Sequence, residues 1–544
     1  MIYFHYRTED IAPGRVLEFF VQTEHDEETI LQLRDGGRIL LEGSRGTGKS
    51  FLLRVAEQRM LSEFSEQRVL PVYVSFMASS LLRTSDSRQF HNWMLAKIAV
   101  KLLRAVRRQG LTAATGTQLS IFPGERIDVA AEERLYKLVC EYETSYRTPE
   151  SPAPDASKVP SVEMFREFVE DACEAWKIER VVFLIDEAAH VFRPAQQRQF
   201  FTLFRDLRSH LIACKAAVYP GVTSYGETFQ PRHDAKTILI NRDIHSDEYV
   251  SVMREIVERQ ADETLRQSIE RNAENFALLA YSVTGNPRLM LKTVGAARRL
   301  NSTEVNAVLK DYFRTDIWSE HSALSSSHEG HKELVDWGRT FLEETVIVDL
   351  KARNDASRIR NGSSKVREET TCYFWVDRDA PQLVFEALRL LAYTGIVVEE
   401  AQNFKGTRGR LGFRYAVNVG CLLAAEGKPA TDGFSICKAL TKRRFAEYGA
   451  THQALASASA LAMPDAELVE EEAFQQRLAS SIEVLDLSTW QKEKLPTIGI
   501  RTLQQLLTAT EEDLQKIKWV GEKRSRRILN TAVAAVSVLE YLSG

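Results

Sequence analysis

Apolar residues along the chain fall into two kinds of pattern. Short unbroken runs predict buried strands at Arg38 to Leu41, at Val181 to Ile185, and in CKAAVYPGVTSYG, which ends in the polar residues Thr223 and Ser224. Apolar positions at helical spacing predict helices in FLLRVAEQRMLSEF, in Asn92 to Arg108 and in Gln197 to His210. From about His331 the pattern changes: KELVDWGRTFLEETVIVDL is helical, KARNDASRIRNGSSKVREE reads as a polar basic loop, and TCYFWV reads as a strand. A helix over PQLVFEALRLLAYTGI, a strand VVEE, the turn-rich FKGTRGR and a returning strand GFRYAVNV follow. Tracts rich in Gly, Pro and Ser lie near Thr112 to Gly124 and Thr148 to Pro160, and Ala, Ser and acidic residues mark Thr451 to Glu472 as a linker or an exposed helix.

These changes divide the chain into residues 1–300, with a helical insertion at about 84–160, then 301–430, a linker at 431–475, and 476–544. A chain of 544 residues has room for roughly three to four folding units at about 100 to 200 residues each. Composition acts mainly by exclusion. With 44% hydrophobic and 27% charged residues there is no apolar run approaching the roughly 18 residues of a membrane span, so no membrane partner is expected. The opening MIYFHYRTEDIAPGRVLEFF lacks the basic start and apolar core of a secretory signal, which makes the cytoplasm the expected location. The six cysteines form no C-x-x-C pair, so buried free thiols are expected rather than a zinc ribbon or redox motif. A net charge of -4 excludes a uniformly basic coat and confines any DNA contact to local patches.

Candidate chemistry concentrates where strands meet loops. The run ending at Leu41 leads into GSRGTGKS, formed by Gly43, Ser44, Arg45, Gly46, Thr47, Gly48, Lys49 and Ser50, and then into a helix. Glycines let backbone N–H groups turn inward around phosphate oxygens, Lys49 adds a point charge on the terminal phosphates, and Ser50 offers a ligand to Mg2+. Val181 to Ile185 ends at Asp186 and Glu187, at the carboxyl end of a strand, where nucleotide sites form. Asp186 is expected to hold Mg2+ and Glu187 to polarise an attacking water; alone, the same acid pair would read as a helix N-cap. Thr223 is the preferred sensor of the terminal phosphate. Gly285, Asn286 and Pro287 precede a helix in which Arg288 is expected to face the nucleotide, unless the motif is only a turn between helices.

These four motifs, in this order, resemble the AAA+ ATPases of the origin-recognition and replication-initiator group, whose relatives include bacterial ATPases of mobile elements and defence loci. The resemblance covers about residues 15–300. It implies an α/β fold, a doubly wound P-loop core with a helical lid, ATP as the nucleotide, and often an arginine from a neighbouring subunit that completes hydrolysis. Arg232, in QPRHDAKTILI, lies where such initiators place that arginine; Arg205 and Arg208 are rivals, and each also reads as an ordinary solvated charge. Lys49 and Asp186 stand 186 - 49 = 137 positions apart, which leaves room for the inserted helices.

The elements from His331 onward follow the order of a winged-helix domain, whose hairpin tip carries Lys405, Arg408 and Arg410 for phosphate contact. Its preceding helix, apolar and bearing Glu386, is poor chemistry for reading a base edge, so wing docking on DNA and a plain domain contact both stand. The stretch from Ile482 to about Ala532 looks like the C-terminal domain of the bacterial RNA polymerase alpha subunit, a helix-hairpin-helix fold. There the Gly521 turn, with Lys523, Arg524 and Arg527, is suited to grip a phosphate without reading sequence. Trp490 stands where the polymerase domain has an arginine for the minor groove, so docking to a partner protein competes with DNA binding.

The expected function is ATP binding and hydrolysis that drives assembly or remodelling on double-stranded DNA, with self-association open. The competing expectation is a nucleotide-controlled sensor or switch that recruits an effector protein, in a setting such as antiviral defence.

Overall fold

In a computed structural model of the protein, five strands form one sheet: β1 (Ile39–Glu42), β2 (Val69–Ser75), β3 (Arg180–Asp186), β4 (Ile212–Val218) and β5 (Lys236–Leu239). The residues described are 4–76, 87–111, 121, 129–144, 154–187, 194–327, 332–361, 369–460, 479–485, 487–521, 524–525, 528–529 and 531–532. The strand order is β2-β3-β4-β1-β5 and every pairing is parallel.

Side chains alternate across the sheet and build two cores. On one face, Leu40, Val72, Phe183, Ile185 and Ala216 pack with the helices Ser87–Arg108, Val129–Thr144, Val162–Trp176 and Pro194–Asp206. On the other, Ile39, Leu41, Leu184 and Ala217 pack with the helices Glu24–Arg34 and Lys49–Ser62. β4 is buried at every position, which is why its sequence shows no polar alternation. The pair Ser87–Arg108 and Val129–Thr144 joins the first core through buried Trp93, whose ring lies 5.3 Å from that of Phe76.

A second sheet, in the order β7-β8-β6-β9, comprises β6 (Tyr373–Asp377), β7 (Val397–Lys405), β8 (Leu411–Val417) and β9 (Ala446–Tyr448). β7 and β8 form an antiparallel hairpin, β8 is antiparallel to β6, and β9 is parallel to β6. The helix Gln382–Tyr393 connects β6 to β7 and packs into the first sheet's core through Ala387, Leu390 and Tyr393.

Two readings of the middle region change. The segment expected as a basic loop after Leu350 is helical through Ile347–Asn361. Its inward positions are polar: Asn354 donates from Nδ2 to Thr371 O at 3.0 Å and accepts from Thr371 N at 2.8 Å, so a hydrophobic period never appears in the sequence. Within residues 431–475, read as a linker, the helix Pro429–Lys438 buries Ile436 and Cys437, and β9 extends the second sheet.

The last described elements are short helices, Thr489–Lys494, Leu503–Thr508 and Glu511–Gln515. Each begins with a capping box, from Ser488 and Gln491, Thr502 and Gln505, and Thr510 and Asp513, which satisfies the end N–H groups that one-turn helices otherwise waste. Among the described residues their core, including Leu495, Leu506, Leu514 and Ile528, is drawn entirely from this terminal segment. Among the described residues no helix is long and apolar enough to cross a membrane. All six cysteines are free thiols and five are buried.

Candidate functional site

Strand register brings three loops together. β4 lies between β1 and β3, with Glu42 opposite Val218 and Ile185 opposite Ala216. The segments after β1, β3 and β4 therefore leave the same edge of the sheet side by side.

Gly46 (φ 86°) and Gly48 (φ 101°) take left-handed conformations that let the segment after β1 curl over the end of the Lys49–Ser62 helix. A Cβ on Gly46 would stand 2.7 Å from Asn286 Oδ1 and 2.9 Å from Arg288 Cβ. Five consecutive carbonyls of this loop are tied back. Lys49 Nζ donates to Gly43 O at 2.7 Å and Ser44 O at 2.9 Å, and Thr47 Oγ1 also reaches Ser44 O at 2.9 Å. Asn286 Nδ2 donates to Arg45 O at 2.7 Å, Arg288 N to Gly46 O at 3.4 Å, and Arg242 Nη1 to Thr47 O at 3.0 Å. All five carbonyls are thus engaged by donors, Arg45 N donates to Tyr393 O at 3.4 Å, and the left-handed turns at Gly46 and Gly48 lead into the amino end of the Lys49–Ser62 helix, a terminus of the kind that binds an anion.

The Lys49 ammonium is nearly buried and lies 3.7 Å from the centre of the Tyr219 ring. Burial pushes its pKa down to about 7, against the pull of the Asp186 carboxylate. Asp186 accepts from the Tyr73 hydroxyl at 2.6 Å on one oxygen and from Glu187 N at 3.0 Å on the other. Burial and then the Asp186 charge raise the Tyr73 pKa well above its usual value, so the phenol stays a donor. Glu187 is buried and held at φ 66°, a costly conformation for a side chain of its size and one that concentrates at functional sites.

Glu9 completes this wall. It lies in the 3-10 turn Thr8–Asp10, and carboxylate oxygens of Glu9, Asp186 and Glu187 lie within 4.8 Å of one another. Three carboxylates beside a hydroxyl-bearing loop are a donor set that fits a hard divalent cation. No motif or period in the sequence marks Glu9.

The cleft encloses about 1080 Å³ including its mouth. Its lining includes polar Arg45, Lys49, Ser50, Glu187, Tyr219 and Arg288 and apolar groups such as Ile11, Val21, Ile256 and Leu291. Asn286 caps the Pro287–Ala296 helix, accepting from Leu289 N at 3.2 Å, while its amide grips the loop. Arg288 Nε donates to Tyr6 O at 3.1 Å; burial and then the neighbouring Arg45 charge lower its pKa.

The structure relocates other expected residues. β4 ends at Val218, and Thr223 folds back so that its hydroxyl donates to Tyr219 O at 2.6 Å and accepts from Tyr219 N at 3.1 Å. The Pro220-Gly221 turn, with Gly221 at φ 79°, breaks the strand early, and Tyr219 rather than Thr223 faces the cleft. Its signal in the sequence is its place as the first polar-tipped residue after the apolar run. Arg232 Nη2 is hydrogen-bonded to Gln402 Oε1 on β7 at 2.9 Å, and Arg205 pairs with Asp206 and the carbonyl of Thr228. Arg208 sits at the amino end of the sheet, away from the cleft.

On the second sheet's hairpin, Lys405 and Arg408 are exposed, and Arg410 pairs with buried Asp377 at 3.0 Å. In the terminal segment, a Cβ added at Gly521 would meet no described atom within 4 Å, and Arg524 Nη1 donates to Trp519 O at 2.7 Å; Lys523 and Arg527 lie outside the described residues.

Comparison with known proteins gives findings of unequal weight. Residues 469–531 match the family model for the C-terminal domain of the bacterial RNA polymerase alpha subunit. No curated protein matches the sequence. Among solved structures, the protein is similar to the Aeropyrum pernix ORC1 protein in complex with DNA, at 15% identity and a TM-score of 0.29, over 78% of this chain and 94% of that one. It is also similar to the Aeropyrum pernix ORC2 protein in its ADPNP-ADP complexes, at 13% identity and a TM-score of 0.34, over 78% of this chain and 98% of that one. Likeness at that level carries no argument, so the fold rests on strand order and register.

Proposed function

We propose that the protein is an AAA+ ATPase that binds ATP with Mg2+, hydrolyses it, and couples that cycle to double-stranded DNA. The observation that carries this reading is the loop from Gly43 to Thr47, with every carbonyl hydrogen-bonded and Lys49 buried beside Asp186 and Glu187, in a cleft whose lining also includes apolar side chains. The loop N–H groups and Lys49 take the phosphates, and the apolar lining takes a base. Ser50 and Asp186 hold the cation, with Glu9 as a further carboxylate on that side. When bound, the cation supplies charge neutralisation at the phosphate oxygens.

Glu187 orients a water and accepts its proton as the water attacks the terminal phosphorus. Lys49 and Arg288 stabilise charge on the phosphoryl oxygens, and Tyr219 takes the wall position expected of Thr223. Positioning and electrostatics supply most of the rate, with no covalent intermediate.

In this reading residues 1–300 are the ATPase core and lid. The second sheet with the helix Gln382–Tyr393 is a winged-helix unit, and 476–544 a helix-hairpin-helix unit. Lys405 and Arg408 on the wing, and Gly521 with Arg524 and its basic neighbours in the tail, contact phosphates. The likeness of residues 469–531 to a polymerase domain supports the tail assignment.

The test is ATP turnover by the whole protein with and without duplex DNA at low and moderate salt, with Lys49→Ala as control. Turnover that needs Lys49 and is stimulated by DNA in a salt-sensitive way supports the reading. Turnover indifferent to DNA removes the DNA half of it, and turnover surviving Lys49→Ala removes the site.

A further inference from the structure

The opposite end of the parallel sheet holds a second hollow, and it is basic. The amino ends of β1, β4 and β5 border an open pocket of about 710 Å³, lined among others by Gly37, Arg38, Arg208, His233 and Lys236. Arg38 precedes β1 and Gly43 follows it, so the two sites are a strand's length apart, roughly 16 Å at the usual rise.

Charge in this pocket is unbalanced. Arg38, Arg208 and Lys236 line it, while Asp234 is the sole carboxylate among its described lining residues and already accepts from Gln230 N at 2.8 Å. Arg38 is half-buried, and its Nη1 is shut off from solvent with no acceptor among the described residues. A buried donor left unmade costs about 1–3 kcal/mol, and more when charged, a cost that a small turn of the guanidinium toward an anion in the pocket would relieve. Burial, and then the charge of Arg208, lower the Arg38 pKa, and Asp234 offsets them only in part.

The floor is braced. Lys215 on β4 is fully buried and donates to Asp35 O at 2.6 Å and to Gly37 O, which fixes the turn entering β1. Lys236 N donates to Arg38 O at 2.9 Å, so the backbones bearing two of the cations are fastened together.

We propose that this pocket is a phosphate-binding site, with Arg38 as its inner donor and Arg208 and Lys236 at its rim. A guanidinium presents paired N–H groups that match phosphate oxygens, and three cations against one carboxylate suit an anion of more than single charge. The phosphate belongs either to a nucleic-acid backbone or to a free phosphorylated compound.

The experiment is phenylglyoxal labelling of the full-length protein, read at the Arg208 peptide by mass spectrometry, with a short DNA duplex or with inorganic pyrophosphate as probe. With a probe at about ten times its dissociation constant, labelling of Arg208 falls about tenfold. Protection by the duplex alone assigns a backbone phosphate; protection by pyrophosphate assigns a free phosphorylated compound. Arg38→Gln or, should that variant fail to fold, Lys236→Glu removes the protection. Unchanged labelling with both probes overturns the proposal, as does protection that survives the substitution.

Discussion

The second sheet and the terminal helices both follow the parallel-sheet core in sequence, yet they are attached in opposite ways. Ala387, Leu390 and Tyr393 are buried in the same cluster as Phe183 and Ile185 of the first sheet, whereas among the described residues the terminal cluster from Ile482 to Ala532 contains residues of that segment alone. The first arrangement makes a unit whose displacement must disturb the cleft. The second makes a module that can be carried without affecting what carries it.

Substitutions in the cleft have the largest expected effect and fix what the shared core serves. Lys49→Ala and Glu187→Gln should each lower ATP turnover by about 100-fold or more, and Glu187→Gln should retain nucleotide binding in a filter or fluorescence assay. Full turnover in Glu187→Gln would remove that residue as the base.

The junction itself breaks at Gly221, where a Cβ would collide with the carbonyl oxygen of Arg389 and φ is 79°. Gly221→Val should cost about 3 kcal/mol or more in denaturant unfolding and weaken nucleotide binding with it. A loss of stability with unchanged nucleotide affinity would show that the second sheet and the cleft are independent.

Removing residues 479–544 sharpens the other half of the contrast. The remaining protein should melt as before and hydrolyse ATP at its DNA-free rate, while duplex affinity at low salt falls about tenfold, with a shallower salt dependence.

The smallest effect is that of pH. The Lys49 amine, held down to about 7 by burial, is charged below that value with or without nucleotide, and a bound phosphate raises its pKa. Nucleotide affinity should therefore be flat below about pH 7 and decline by at most about tenfold per unit above it, until the raised value is reached. Calorimetry in buffers of different ionisation heat should detect proton uptake at pH 8; none would mean that the amine is already charged.

What the sequence revealed depended on how local the determinant was. Strand, glycine loop and helix lie within residues 39–62, and the acids follow their apolar run directly, so pattern and motif located them together. Glu9 reaches the cleft because the opening residues fold across it, a tertiary event without local signature. The helix Ile347–Asn361 is hidden because Asn354 and Ser357 occupy inward positions where a period search expects apolar residues. β9 escapes because its three residues are too few to show alternation. Thr223 is misplaced because polarity alone does not reveal that Pro220 and Gly221 end the strand early.

One contact gives the second sheet a say in the chemistry of the first. The Tyr219 ring that Lys49 faces at 3.7 Å meets the ring of Tyr393 edge-on at 5.6 Å, and the carbonyl of Tyr393 accepts from Arg45 N at 3.4 Å. The last residue of one helix thus touches the glycine loop and, through an aromatic neighbour, the amine that serves it. Linkage is reciprocal: if an occupant of the β7–β8 hairpin draws that helix away, the change in nucleotide affinity equals the change in the occupant's own affinity when nucleotide binds. A single tyrosine at a helix terminus is where two ledgers, one for phosphate and one for whatever the hairpin holds, are forced to agree.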